Sequence, residues 1–397
     1  MITRLKVNNY KSLWYLDMPL TPFTVIVGNN ATGKSSILQA LQFLFESVAN
    51  DFKVVVENRG LSVENIKSKY ANHGTMTFQL EFSLLIEKEQ RNFIWDLEIR
   101  TTIKDNKMEL WSERIYDVKN RKVLLEFLSG KYGILVDSSN KNMDFPMSVN
   151  SSSLLKYVDI SSELYLKRYP ELCAIKRYCL NSDSYELLNP TAMRSSSRGK
   201  VNSIGSYGEN LPSFIKGMND TQKKDFQKKI QMLLGTRIDN VEAYTKGKPG
   251  WTQLRVTEKY GNDTIKITSK DLSDGILRVL AFIALLESEK SEGTLLLDEI
   301  ENGINLNYAE KLVDLLQQAF TEKKQQLIVT THSTVFLDYV NRDNIIYLYR
   351  DEETGFTKAA KLFDVEEMRS KLEYMYPGEV LLNITNDEIV KILMENE

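Results

Sequence analysis

The chain of 397 residues carries a formal net charge of −3, with 42% hydrophobic and 26% charged residues. This balance is ordinary for a globular protein with a sizeable core, and it argues against a surface coated with basic charge for nucleic acid, though not against a local basic groove. The two cysteines, Cys173 and Cys179, indicate a reducing compartment, and the two histidines, His73 and His332, make a metal site built on Cys and His unexpected. No apolar run approaches the roughly 20 residues of a membrane span. The first residues also lack a signal-peptide pattern, so we expect a cytoplasmic protein with no membrane partner.

The N-terminal third reads as strands, one helix and then more strands. Short strands are predicted at 1–7, 14–18 and 23–28. A helix begins near Gly33, because apolar residues then recur at helical spacing. From 76 to 136 polar and apolar residues alternate, and a hairpin turns at Asp105-Asn106. This part predicts an antiparallel sheet beside the helix.

The rest of the chain divides into a mainly helical stretch and an alternating one. Strands are predicted at 252–257 and 264–268, followed by a helix after Leu272. Beyond it, the predicted elements are a strand at 294–298, a helix at 307–321 and strands at 326–331 and 344–349. Such alternation predicts a mostly parallel sheet with helices on its faces. We therefore predict three parts: 1–145, a mainly helical insertion at 146–245, and 246–397.

One segment matches the phosphate-binding pattern G-x-x-x-x-G-K-[ST], and its residues are Gly28, Asn29, Asn30, Ala31, Thr32, Gly33, Lys34 and Ser35. The glycines allow the backbone to wrap around phosphates, and the amides at the helix start face the anion. Lys34 is expected to reach the β- and γ-phosphates, and the Ser35 hydroxyl to ligate Mg²⁺. A chance glycine-rich turn is the alternative, which the preceding strand and the following helix disfavour.

Two further strands end in polar residues that suit phosphate chemistry. The apolar run 295–297 ends at Asp298, a candidate Mg²⁺ ligand, and Glu299, a candidate base for the attacking water. The alternative is an acid that caps the next helix. The apolar run 327–329 precedes His332, which can bond a phosphate or the catalytic water, although a lone histidine is more often structural.

A fourth motif, Leu272-Ser273-Asp274-Gly275, opens a predicted helix. Ser273 reads most simply as a helix N-cap. The free amides and the dipole at that helix end would also suit a γ-phosphate.

The order of these four motifs resembles the ABC-type ATPases of the SMC/RecF/OLD group, which includes stand-alone AAA-family ATPases of bacterial anti-phage systems. The opening run from Leu5 to Leu13 is also similar to the first strand and turn of that group. The resemblance implies an α/β fold: an ABC-type P-loop head with a mostly parallel core sheet, an antiparallel β subdomain and a helical insertion.

The same resemblance implies that ATP and Mg²⁺ are held between two copies, in a homodimer or a higher homo-oligomer. Ser273 and Gly275 of one copy would contact the γ-phosphate bound to the other. Asn30 and Ser36 also match the group's phosphate loop, and Lys11 is a candidate nucleotide contact.

The sequence also departs from the group. Asp274 stands where many members have a small residue, the residues from Glu301 to Asn305 differ from the relatives' pattern, and the Q-loop glutamine cannot be placed. Roughly 235 residues separate Ser36 from Leu272, which is too long for a transporter ATPase, and they lack the heptads of an SMC coiled coil.

About 65 residues follow His332, too few for the nuclease domain of OLD proteins. We therefore expect an ATPase that regulates a separately encoded nuclease or toxin in anti-phage defence. The alternatives are a RecF-like DNA-repair ATPase and an ATP-binding scaffold with little hydrolysis. Arg177, Arg194, Arg198 and Lys200 are the candidate contacts for nucleic acid or a partner, with a solvated loop as the alternative.

Overall fold

The computed structural model describes residues 1–70, 74–146, 150–185, 189–245, 247, 250–288, 290, 292–302 and 304–396, without the side chains of 319 and 320. His73, and Gly303 within the run from Glu301 to Asn305, lie outside these ranges. Among the described helices, none is long and apolar enough to cross a membrane.

The N-terminal part forms an eight-stranded antiparallel sheet, in the order β2-β1-β4-β5-β6-β7-β8-β9. Its elements, with the three helices and one central strand of the same segment, are β1 (Ile2–Asn8), β2 (Leu16–Pro19), β3 (Phe23–Gly28), α1 (Lys34–Ser47), α2 (Phe52–Glu57), α3 (Val63–Ile66), β4 (Thr75–Ile86), β5 (Glu89–Thr102), β6 (Lys107–Asp117), β7 (Lys122–Leu128), β8 (Tyr132–Val136) and β9 (Asn142–Asp144). The alternation of buried and half-buried residues along β4 and β5 explains why one face of this sheet packs on a core.

The middle part contains α4 (Glu163–Arg168), α5 (Pro170–Leu180), β10 (Asp183–Tyr185), α6 (Pro190–Arg194), β11 (Ser197–Arg198), α7 (Leu211–Gly217), α8 (Asp220–Leu234), β12 (Ile238–Thr245), β13 (Trp251–Tyr260) and β14 (Asp263–Thr268). Strand β13 pairs antiparallel with β11, β12 and β14 in a small sheet. The segment predicted as a mainly helical insertion therefore also carries strands, and β10 joins the central sheet.

The C-terminal part completes the central sheet and contains α9 (Asp274–Leu286), β15 (Thr294–Leu297), α10 (Ala309–Lys323), β16 (Gln326–Thr330), α11 (Thr334–Leu337), β17 (Ile345–Arg350), β18 (Thr357–Lys361), α12 (Glu366–Lys371), α13 (Pro377–Asn383) and α14 (Asn386–Glu395). The central order is β10-β15-β16-β3-β17-β18, parallel except for the antiparallel β17–β18 pair. Short 3₁₀ turns lie at Ile103–Asp105, Leu154–Tyr157, Leu306–Tyr308, Arg342–Asn344 and Leu362–Asp364.

The central sheet separates two hydrophobic cores. Side chains alternate along a strand, so Ile26 of β3 joins the core that contains α1, α5 and the antiparallel sheet. Its neighbours Val25 and Val27 join the core that contains α7, α8, α9 and α10. A hydrophobic core covers each face of the central sheet. This explains why its central strands consist of continuous apolar runs. The predicted α/β head, with a mostly parallel core sheet and an antiparallel β subdomain, is confirmed.

Candidate nucleotide site

Three neighbouring strands bring the polar motifs to one edge of the central sheet. The phosphate-loop residues follow β3, Asp298 and Glu299 follow β15, and His332 follows β16, which lies between the other two. The carboxyl ends of parallel strands meet at the same edge, where α/β proteins bind ligands.

The phosphate loop wraps closely because two glycines take conformations that side chains disfavour. Gly28 has φ 149° and Gly33 has φ 106°. A Cβ at Gly28 would lie 2.3 Å from the carbonyl oxygen of Leu348, and one at Gly33 would lie 2.9 Å from Ser12 Oγ. Helix α1 starts at the next residue, Lys34, so its first amides have no preceding carbonyl acceptor within the helix and can bond an anion.

The side chain of Lys34 bonds to the phosphate loop itself. Its Nζ donates to the carbonyl oxygens of Gly28 at 2.8 Å and Asn29 at 2.9 Å, and the residue is 6% exposed. Burial lowers the pKa of its ammonium, while the carboxylates of Asp298, Glu299 and Glu301 act in the opposite direction. A buried cation that donates its hydrogen bonds to neutral carbonyl oxygens suits a polyphosphate ligand.

The acidic pair after β15 is held by the neighbouring strand. Thr330 Oγ1 donates to Asp298 Oδ1 at 2.5 Å and accepts from the Glu299 amide at 2.8 Å. Glu299 has φ 49°, a left-handed backbone conformation that is uncommon for residues other than glycine. Its carboxylate accepts from Asn302 Nδ2 and lies 3.8 Å from His332 Nε2. The two candidate catalytic residues, Glu299 and His332, are thus neighbours.

The oxygen atoms at this edge suit a hard cation. Glu301 Oε1 accepts from the His332 amide at 2.5 Å. Its other oxygen, Oε2, is buried and has no hydrogen-bond partner within the described ranges. Together with the exposed Ser35 and the half-buried Asp298, this gives a hydroxyl and carboxylate set of the kind that Mg²⁺ prefers.

An open cleft of about 580 Å³ adjoins the loop and the histidine. Asn29, Asn30 and His332 line its polar side, and Leu381 and Ile384 of the C-terminal helical segment line its apolar side. The exposed Asn29, Asn30 and Ala31 leave the loop accessible from this cleft.

Two more residues of the predicted set border α1. Ser36 Oγ lies 3.1 Å from Ser12 Oγ, and Lys11 Nζ donates to Gln39 Oε1 at 2.6 Å. Lys11 therefore lies beside α1, one turn beyond the phosphate loop.

The sequence analysis missed two residues that hold the loop. Arg350 at the end of β17 donates to the Ala31 carbonyl from Nε at 3.2 Å and from Nη2 at 2.8 Å. Thr357 Oγ1 donates to the Thr32 carbonyl at 2.8 Å. Both lie more than 300 positions along the chain from the loop, so only strand adjacency could reveal them.

A cluster of aromatic rings adjoins the same side of the loop. The ring of Phe356, next to Thr357, lies 5.9 Å from Trp14, 6.4 Å from Tyr15 and 5.4 Å from Tyr70. Tyr15 and Tyr70 are 70% and 46% exposed. Nothing in the local spacing of the sequence pointed to this cluster.

The motif at Ser273 lies on the other face of the sheet from α1. Ser273 caps α9 and accepts from the Ile276 amide at 3.4 Å. The buried face of α9 packs in the core opposite to that of α1. Ser273 is exposed and Gly275 is half-buried, so this helix start is accessible but does not join the phosphate loop of its own chain.

The four cations proposed for nucleic acid or a partner do not share one environment. Arg177 is exposed on α5, which packs in the core with α1. Arg198 and Lys200 are exposed near β11, on the segment that packs in the opposite core. Arg194 instead donates to the Leu272 carbonyl and to Asp274.

Comparison with known proteins gives matches of high sequence identity over short segments and a match of low identity over most of the chain. The chain is 44% identical over 48 residues to an OLD nuclease of Thermus scotoductus, and 41% identical over 59 residues to the DNA replication and repair protein RecF of Actinobacillus pleuropneumoniae. These matches cover 12% and 15% of the chain, and only 9% and 16% of the two relatives. An ATP/GTP phosphatase of Helicobacter pylori is 20% identical over 92% of the chain and 93% of its own length.

Solved structures share the fold. An SMC head bound to the C-winged helix domain of ScpA gives a TM-score of 0.55 at 15% identity, covering 90% of this chain and 96% of that one. The SMC head domain with an extended coiled coil from Pyrococcus furiosus gives 0.52 at 13% identity, covering 94% and 99%. Together with the OLD nuclease and RecF matches, this shared fold confirms the predicted resemblance to the SMC/RecF/OLD group.

The family model described as an AAA ATPase domain matches residues 1–337, most of the chain. The match contains the phosphate loop, the Ser273 motif, the acidic pair and His332. The chain therefore belongs to the AAA ATPase domain family.

Proposed function

We propose that two copies of this chain bind ATP and Mg²⁺ between them and hydrolyse the nucleotide. The observation that carries the proposal is the meeting of the phosphate loop, Asp298, Glu299 and His332 at the ends of three adjacent parallel strands. In this arrangement a polyphosphate lies on the first amides of α1 and on Lys34, with its terminal phosphate toward β15 and β16.

The contacts of the acidic pair support the chemistry that we assign to it. Glu299 accepts a proton from water while the water oxygen bonds to the γ-phosphorus and the bond to the bridging oxygen of ADP breaks. His332 lies beside Glu299 and orients the same water or the γ-phosphate. Ser35 and Asp298 hold Mg²⁺, which offsets the charge of the phosphates when bound.

The location of Ser273 supports pairing of two copies. Ser273 and Asp274 at the start of α9 are exposed, while α1, which follows the phosphate loop of the same chain, packs on the opposite face of the sheet. A second copy brings its own Ser273 and Gly275 to the γ-phosphate, where the helix dipole favours the anion.

We propose that the aromatic cluster binds the base of the nucleotide. The phosphate chemistry lies on the β15 and β16 side of β3, so the ribose and base extend toward β17 and β18. Phe356 and its neighbouring rings lie on that side and offer faces for stacking. Stacking accepts any purine, which agrees with the name of the Helicobacter relative.

The wider role that we propose is control of a separately encoded effector, a nuclease or toxin, in bacterial anti-phage defence. It rests on analogy with ATPases of this architecture. The RecF match makes DNA repair the competing role. Salt-dependent DNA binding by the purified chain favours repair, whereas toxicity that needs both this chain and a neighbouring gene favours defence.

A mixing experiment tests the pairing and the chemistry together. Lys34→Ala removes the phosphate cation but keeps Ser273, and Ser273→Arg blocks the helix start but keeps the phosphate loop. Each variant alone should be inactive. Mixed dimers contain one intact composite site, so an equimolar mixture should regain about one quarter of the wild-type ATPase rate.

Glu299→Gln provides the control for the catalytic assignment. It keeps the size of the side chain but accepts no proton, so ATP should bind and the paired state should accumulate in light scattering. Wild-type hydrolysis by Glu299→Gln, or a mixture as inactive as its components after subunit exchange, would count against the proposal.

A further inference from the structure

The Ser273 motif carries a negative charge at the place proposed to meet an anion. Asp274 is the first residue of α9, directly after the Ser273 cap, and its side chain is 56% exposed. In the proposed pair of copies this helix start approaches the γ-phosphate of the other copy. An uncompensated carboxylate there would repel the phosphate and oppose the helix dipole's attraction for it.

Arg194 compensates this charge from a different part of the chain. Its Nη2 donates to Asp274 Oδ1 at 2.6 Å and to the Leu272 carbonyl oxygen at 2.8 Å. The guanidinium therefore contacts residues on both sides of Ser273. Both contacts join residues about 80 positions apart, so they depend on the packing of α6 beside α9.

The backbone around Arg194 is itself held in place. The Arg194 carbonyl accepts from Ser269 Oγ at 3.1 Å. The preceding residue, Met193, is fully buried in the core that contains α9. Helix α6 starts with an Asn189 cap and ends at Arg194. The end of this short helix is therefore fixed by the buried Met193 side chain and by the hydrogen bond to the Arg194 carbonyl. The Arg194 side chain is only 29% exposed.

We propose that Arg194 is a positioning residue for ATP hydrolysis, which neutralises Asp274 and fixes the carbonyl of Leu272 so that Ser273 can meet the γ-phosphate of a second copy. The proposal rests on the pairing proposed above. It also assigns a role to the segment before β13, because this segment supplies the arginine that contacts the residues on both sides of Ser273.

An ordinary surface ion pair would behave differently. Exposed pairs contribute little to stability, and removing either member has a small effect of the same kind. A charge that shields an anion site gives an asymmetric result, because loss of the cation exposes Asp274, while loss of both charges removes the repulsion.

The test compares Arg194→Ala, the double variant Arg194→Ala/Asp274→Asn, and a matched control. Arg194→Ala should lower kcat and ATP-dependent pairing about tenfold or more, while calorimetric binding of ATP to single copies stays unchanged. The double variant should recover most of the lost rate. Raising the salt concentration should also partly restore Arg194→Ala, because salt screens the exposed carboxylate.

Arg255→Ala is the matched control. Arg255 pairs with Glu242 at 2.6 Å and is also 29% exposed, but it lies in the small β13 sheet. It should keep wild-type turnover. Thermal unfolding of all variants shows whether Arg194→Ala remains folded.

The outcomes separate this inference from the proposed pairing. If Ser273→Arg hydrolyses ATP normally, the pairing fails. If Ser273→Arg is inactive but folded Arg194→Ala matches the wild type, only the role of Arg194 fails. A double variant no better than Arg194→Ala, with no response to salt, likewise overturns the charge argument.

Discussion

Thr330 Oγ1 donates a hydrogen bond to Asp298 Oδ1 at 2.5 Å, across the pair of parallel strands β15 and β16. The same hydroxyl accepts from the amide of Glu299. One side chain thus orients the proposed metal ligand and fixes the backbone of the proposed base.

Replacing Thr330 by Val should remove both hydrogen bonds with little change in volume. We expect kcat to fall about tenfold to a hundredfold, as for residues that orient metal ligands, and ATP affinity to change less. Thr330→Ser keeps the hydroxyl and should retain most activity. Steady-state ATPase kinetics with varied Mg²⁺ measure the effect, and equal loss in both variants would contradict it.

Replacing Arg350 by Ala should loosen the phosphate loop. Its guanidinium bonds the carbonyl oxygens of Ala31 and Gly355, which ties the loop to the β17–β18 hairpin. Because a less organised loop must be ordered by the ligand, we expect the Kd for ATP to rise about tenfold. Isothermal titration calorimetry measures this change. The control is Arg342→Ala, an exposed arginine paired with Asp343 before β17, and an equal effect there would count against the assignment.

Replacing Phe356 by Ala should weaken nucleotide binding through the base alone. Loss of stacking costs about 1 kcal/mol or more per base, so the affinities for ATP and GTP should both fall. Binding of inorganic tripolyphosphate, which has no base, should stay unchanged in calorimetry. Tyr374→Ala is the control, since Tyr374 is a 68% exposed ring near α12. An equal loss of tripolyphosphate affinity would show that Phe356 acts on the loop instead.

The buried carboxyl of Glu113 should make the fold less stable as the pH rises. Burial raises its pKa from the usual 4.5 to about 7, although hydrogen bonds from Ser153, Leu154 and Trp95 favour the carboxylate. The folded chain therefore holds this proton more tightly than the unfolded chain does. The resulting stability is fully present below a pH of about 4.5 and is lost as the pH rises through about 7.

The difference in unfolding free energy between the wild type and Glu113→Gln should accordingly shrink with pH, by on the order of 3 kcal/mol over this range. Urea unfolding at several pH values measures it. Glu89→Gln, which removes a 65% exposed carboxyl from β5, is the control. A difference that does not depend on pH would contradict the prediction.

Local patterns in the sequence were enough to predict most of the central sheet. The strand predicted at 326–331 is β16, Gln326–Thr330, and the helix predicted at 307–321 is α10, Ala309–Lys323. Strands β10 and β11 were missed because they have three and two residues, too short to show a period. Strand β18 was missed because four of its five residues are half-buried and mark no clear face.

The sequence by itself determined the phosphate loop and the acidic pair as motifs, because each consists of consecutive residues at a strand end. It also determined their order, from which the family resemblance came. These features depend on spacing along one element, which the chain encodes directly.

Only the tertiary structure decided which remote residues serve these motifs. Thr330 reaches Asp298 because β15 and β16 are adjacent and in register, and Arg350 reaches Ala31 because β17 lies beside β3. The sequence made Arg194 a candidate contact for nucleic acid or a partner, but the packing of α6 beside α9 joins it to Asp274. The physical reason is that sheet order and helix packing result from burying apolar faces over the whole chain, so such contacts leave no pattern in the local sequence.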